Sequence, residues 1–114
     1  MKILHVSFSD NFGGANIAAY RLHESLRKKI DSKLLVYDKK HKNKNIIKFK
    51  DESLFNYRIK NYLAKFFLIP FKKKYSHSLN IFDSKILNLI NGSDADIVHL
   101  HWMNNELLSI KDIS

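Results

Sequence analysis

The feature that most constrains this chain is an abrupt order of events near its start: an apolar run, a glycine pair, then a helical period. Residues 2–8, Lys-Ile-Leu-His-Val-Ser-Phe, are rich in aliphatic and aromatic residues and read as a short buried strand. Ser9, Asp10 and Asn11 supply turn chemistry, and Gly13-Gly14 follow. Apolar residues then recur at 15, 18, 19, 22 and 26, the spacing of an amphipathic helix that opens right after the glycines. Strand, glycine turn and helix in that order make the first half of a βαβ unit. They direct the chain towards a parallel sheet.

The rest of the chain continues the alternation. Residues 33–37, Lys-Leu-Leu-Val-Tyr, predict a second strand ended by Asp38, and residues 45–49 predict a weaker third. Ser53 is a good N-cap for a longer helix whose apolar positions 55, 59, 62, 63, 66 and 67 form one stripe, limited by Pro70. Asp83 or Ser84 caps a short helix over 85–91, which Gly92 closes. Residues 96–102, Asp-Ile-Val-His-Leu-His-Trp, read as a further buried strand. The expected fold is α/β: a Rossmann-like parallel sheet, strand order 3-2-1-4 or similar, with helices on both faces. Length and the lack of any linker make residues 1–114 a single domain. Three or four strands are about half of a doubly wound sheet, so the chain is expected to be the N-terminal piece of a longer protein.

Composition excludes several chemistries. Without cysteine there are no disulfides, thiolate metal sites or cysteine nucleophiles. The longest apolar run, Phe66 to Phe71, falls far short of the roughly 20 residues of a membrane span, and the first residues lack the apolar stretch of a secretory signal. The formal charge of +9 is concentrated: residues 28–74 hold 15 Lys and Arg against 4 Asp and Glu, while the remainder holds 5 against 7. Such a block meets anions, whether nucleic acid, acidic lipid or phosphorylated substrate.

Three motifs carry chemistry. Gly13-Gly14 at a helix start let backbone N–H groups approach a phosphate or diphosphate, or else serve only a tight turn. No Gly-Lys-Ser/Thr follows, and the three-glycine dinucleotide spacing is missing, although Asp38 lies about where a ribose-binding acid would. In the last strand His99 and His101 share one side, with Val98, Leu100 and Trp102 on the other. With no third ligand evident near them, no metal site is read there, and His5 and His99 are assigned structural roles. The helix from residue 53 with its tail Lys72-Lys73-Lys74 has the makings of an interfacial helix on a membrane surface; its stripe would serve equally to pack on the sheet.

Residues 1–27, Met-Lys-Ile-Leu-His-Val-Ser-x-Ser-Asp-x-x-Gly-Gly-Ala-x-x-Ala-Ala-Tyr-Arg-Leu-His-x-x-Leu-Arg, resemble the opening of bacterial glycosyltransferases of family four. So does the phrase from Asp96 through His99, His101 and Trp102 to Asn104, continued by residues 108–112; residues 31–36 fit that family's second strand. The likeness covers both ends and skips the lysine-rich middle. It implies the incomplete N-terminal, acceptor-side domain of a GT-B enzyme, a retaining transferase that uses a nucleotide-sugar donor and requires neither metal nor other cofactor. Gly13 and Gly14 would face the donor diphosphate. Asn11, His101, Trp102 and Asn104 would line the pocket of a glycan or lipid-linked acceptor in surface polysaccharide synthesis. The missing C-terminal domain would grip most of the nucleotide sugar, and the fragment alone would be inactive. Its place would be cytoplasmic, with Lys72, Lys73 and Lys74 against the anionic inner face of the membrane. No nucleic acid is expected in this reading, because the lysines are not interleaved with exposed aromatics in a recognised motif. The alternative is a stand-alone nucleotide- or nucleic-acid-binding module, for which Gly13-Gly14, Asp38 and the basic block argue.

Overall fold

The computed structural model describes residues 1–50, 54–69 and 85–101. In chain order they form β1 (Lys2–Ser9), α1 (Gly14–Leu26), β2 (Asp31–Asp38), β3 (Ile46–Lys48), α2 (Leu54–Leu68), α3 (Ile86–Asn91) and β4 (Ile97–Leu100). The four strands make one all-parallel sheet in the order β3-β2-β1-β4, as the strand–helix alternation predicts. β1 lies between β2 and β4: Ile3 stands opposite Ser32 on one side and Ile97 on the other.

Each strand has two faces, and the two sides of this sheet differ in kind. On one side Leu4, Val6, Leu35, Tyr37 and Phe49 form an apolar cluster with Ile86 of α3, flanked by Phe8, Ile90, Ala95 and Leu100. Phe49 meets Tyr37 edge-on with centroids 5.0 Å apart. On the other side Leu34, Val36 and Ile46 pack beneath Ala19 of α1, with Tyr20 alongside. Helices therefore cover both faces. Parallel strands usually bury apolar residues on both sides, yet β1 turns His5, Ser7 and Ser9 towards α1, all fully buried.

That polar face corrects the expected seating of α1. Of the expected stripe Ala19 is buried, but Ala15, Ala18 and Leu22 are exposed, and the helix buries Asn16 and His23 beside Ala19. The reason is pairing: Ser7 Oγ donates to Asn16 Oδ1 at 2.6 Å, and His23 Nδ1 lies 2.9 Å from Ser32 Oγ. A buried hydroxyl needs a partner more than an exposed alanine needs cover, so the helix rotates its polar residues inward.

Two smaller differences follow from geometry. Gly92 closes α3 in a right-handed conformation (φ −83°), donating its N–H to Asn88 O; a Cβ there would stand 3.1 Å from that oxygen. Close approach, not left-handed backbone, is what favours glycine at this cap. In α2, Ala64 is buried while Ile59, Tyr62, Leu63, Phe66 and Phe67 are exposed. The expected caps Ser53, Asp83 and Ser84 lie outside the described residues.

Candidate functional site

Ligands of open parallel sheets bind beyond the carboxyl ends of the strands. Here that edge holds the turn between β1 and α1, the loop after β2, and the end of β4. Gly13 adopts φ 81° and ψ 149°, a left-handed conformation that any side chain would strain, and its carbonyl accepts the first helical bond from Ile17 N–H at 3.0 Å. Gly14 has ordinary backbone, and a Cβ built on it meets nothing within 4 Å. The first glycine therefore shapes the turn, and the second leaves room in front of it. Asn16 braces this turn from below, its Nδ2 donating to Phe12 O at 2.5 Å. Residues 11–15 are exposed, and the first turn of α1 carries no acidic side chain. The N-terminal N–H groups and the positive end of the helix dipole are thus presented to solvent on a braced backbone.

Asp10, which the sequence reading took as turn chemistry only, is fully buried. Its carboxylate accepts the N–H groups of Lys40 (2.9 and 3.1 Å) and His41 (2.8 Å), and the His41 ring nitrogen Nδ1 stands 3.2 Å away. His41 also lies flat on Tyr20, with centroids 4.2 Å apart and planes 9° apart. Asp10 so ties the basic loop after β2 to the glycine turn. Within that loop Lys39 Nζ donates to Asn43 O (2.8 Å) and Ile46 O (2.7 Å), so its charge organises the loop. Lys40 Nζ sits 3.4 Å from Asp38, the candidate ribose acid. Lys42, Lys44 and Lys48 are exposed around an open cleft of about 410 Å³. A second cleft, of about 320 Å³, lies at the opposite, amino-terminal edge between Lys2, Asp31, Lys33 and Asp94. Its position at the wrong end of the strands sets it apart from the loops just described.

At the end of β4 the expected alternation holds: Leu100 joins the apolar cluster while His99 and His101 look to the α1 side. The sheet then adds a residue that local sequence did not connect to them. His5 stands opposite His99 in register, and its Nδ1 lies 3.0 Å from His101 Nε2. One ring nitrogen from each of His5, His99 and His101 lies within 4.8 Å of the others. Burial, then the neighbouring charges of His101, His99 and His23, pushes the His5 pKa down to about 4. Burial also lowers His101 and His23, the latter against the opposing pull of Glu24. His5 and His23, the two rings buried beneath α1, are therefore neutral at pH 7.

Of the residues singled out from sequence, Gly13, Gly14 and Asn11 are exposed together on the turn, and Asn11 N–H reaches Ser9 Oγ at 3.3 Å. His101 is half-buried, with one ring nitrogen directed at His5 rather than outward alone. Trp102, Asn104, Lys72, Lys73 and Lys74 lie outside the described residues. Asp10, Asn16 and His5 were missed as members of this edge and its support. The signal available was polar residues at 5, 7 and 9, one face of β1, matched by Asn16 and His23 seven apart on α1. No family model, curated protein or solved structure matches the chain at a significant level.

Proposed function

We propose that this chain is the acceptor-side part of a bacterial glycosyltransferase with a nucleotide-sugar donor. The observation that carries the reading is Gly13 in left-handed backbone at the junction of a central parallel strand and its helix, with the helix N-terminus open to solvent. The resemblance of residues 1–27 and 96–112 to family-four enzymes supplies the chemistry. In that reading the N–H groups beyond Gly13 hydrogen-bond the leaving diphosphate and stabilise the charge it gains as the glycosidic bond breaks. Asn11, His101, Trp102 and Asn104 bind the acceptor glycan, and Trp102 gives a flat face to a sugar ring. The exposed apolar residues of α2, with Arg58, Lys65 and the Lys72–Lys74 run, rest against anionic lipid that carries the acceptor.

Titration of the isotopically labelled chain with uridine and guanosine diphosphates and their sugar conjugates tests this. Amide shifts should centre on Gly13, Gly14 and Ala15. Gly14→Asp, which sets a carboxylate at the helix start, should weaken binding about tenfold. Shifts that map elsewhere, or no binding of any diphosphate at millimolar concentration, would refute the assignment.

A second reading rests on the exposed lysines of the cleft after β2: a nucleotide- or nucleic-acid-binding module without transferase activity. Single-stranded oligonucleotides are its probe. Binding to them with a steep salt dependence, lost on Lys42→Glu with Lys44→Glu, would favour this reading over the first.

A further inference from the structure

We propose that His5, His99 and His101 form a three-histidine site for a divalent transition-metal ion, Zn²⁺ being the best fit, bound across the β1–β4 pair. The inference is independent of the transferase reading, which requires no metal. It starts from register: pairing places His5 opposite His99, and the two-residue strand period puts His101 on the same face. The donors therefore come from two hydrogen-bonded strands, which fixes their backbones. A tetrahedral ion with Zn–N bonds of about 2.0–2.1 Å holds its ligand nitrogens about 3.3 Å apart. His5 Nδ1 and His101 Nε2 already stand at 3.0 Å, and no ligand nitrogen of the three is more than 4.8 Å from another. Closing the widest gap takes a movement of about 1.5 Å, which a side-chain rotation of exposed His99 supplies.

Two further observations point to a ligand. His5 is completely buried and, among the described residues, its Nε2 has no hydrogen-bond partner, a state that buried polar atoms rarely tolerate. The donor set is all imidazole, which suits Zn²⁺, Cu²⁺ and Ni²⁺ and disfavours Mg²⁺ and Ca²⁺. Three protein ligands leave a fourth position, and exposed His99 places it towards solvent, so the ion can enter and exchange. The rival use of the same rings is a tilted stack without metal: His99 and His101 have centroids 4.0 Å apart at 34°.

The experiment is titration of the full, tag-free chain with Zn²⁺, and with Co²⁺ as a spectroscopic stand-in, at pH 7.5. Expected are one ion per chain, the intense visible bands of tetrahedral Co²⁺, a raised melting temperature with Zn²⁺ and no response to Mg²⁺. His99→Ala, at an exposed position, should weaken Zn²⁺ binding about tenfold or more. His99→Ala with His101→Gln should abolish it, while His41→Ala leaves it unchanged. Circular dichroism checks that the variants fold; His99→Ala alone suffices if the double variant does not. Absence of stoichiometric binding, or binding that survives the double substitution or disappears with His41→Ala, would overturn the site and leave the stack.

Discussion

Gly13 and Gly14 are neighbours with opposite requirements. Gly13 stands at φ 81°, where a Cβ is strained; Gly14 has ordinary backbone at the head of α1 with open space around it. Gly13→Ala should destabilise the chain by about 1–3 kcal/mol. Gly14→Ala should stabilise it by about 0.5–1 kcal/mol, through lost freedom in the unfolded chain. Paired urea denaturation curves check the contrast in sign; equal effects would show that the turn does not impose its backbone on Gly13. The buried histidines set a pH dependence at the same scale. His5, His23 and His101 all have folded pKa values below the ordinary histidine value of about 6.5. The unfolded state therefore binds more protons, so stability should be level above pH 7 and fall as pH drops from about 6.5 towards 4. Glu24 and Asp94, held low by Arg27 and Lys2, release their contribution only at more acid pH, below about 4.5. Thermal unfolding between pH 5.5 and 7.5 follows this histidine contribution. His5→Gln should flatten that slope, and an unchanged slope would place the titration elsewhere.

Among the elements, α1 and α2 separate what sequence makes legible from what it does not. The strands and the helix that opens on the glycines could be read from local period, because apolar runs and turn residues are local properties, and connection rules then pointed to a parallel order like that observed. The inward face of α1 could not. Its orientation follows from Ser7 and Ser32, which demand Asn16 and His23 as partners across the layer, and an apolar count gives such pairs no weight. The histidine cluster was hidden for a related reason: His5 and His99 meet only through strand register, 94 residues apart in sequence. Asp10 looked like any turn aspartate until the loop after β2 closed over it. For α2 the sequence left two uses of one stripe open, and Ile59, Tyr62, Leu63, Phe66 and Phe67 are exposed. The chain should co-sediment with phosphatidylglycerol vesicles more than with phosphatidylcholine vesicles, and salt should weaken the difference. Each basic residue near such a surface contributes about 1 kcal/mol. Lys65→Glu together with Lys72→Glu and Lys73→Glu should therefore reduce binding more than tenfold. Indifference to lipid charge would return the stripe to protein packing.

At the scale of the molecule, the described residues form one parallel sheet whose open carboxyl edge offers a single wall to a ligand. Sugar transfer needs donor and acceptor held together, and that proximity is worth about 7–11 kcal/mol of the barrier. The purified 114-residue chain should give no measurable transfer with any nucleotide sugar in a coupled nucleotide-release assay. Turnover that co-purifies with the chain through successive columns would contradict this.

The order of synthesis bears on the position of β1. Among the described strands, β1 is synthesised before the others and becomes an inner strand of the sheet, and its partner β4 is made after them. The stitches between them span nearly the whole chain: Lys2 N–H to Asp96, Asp96 N–H to Lys2 O, and Lys2 Nζ to Asp94 at 2.6 Å. Until residues 94–101 emerge, one side of β1 offers unpaired backbone groups to any passing strand. Contacts of such sequence separation also close slowly. Nascent chains stalled before residue 94 should accordingly be protease-sensitive and dependent on chaperones, and a few residues more should let the sheet close.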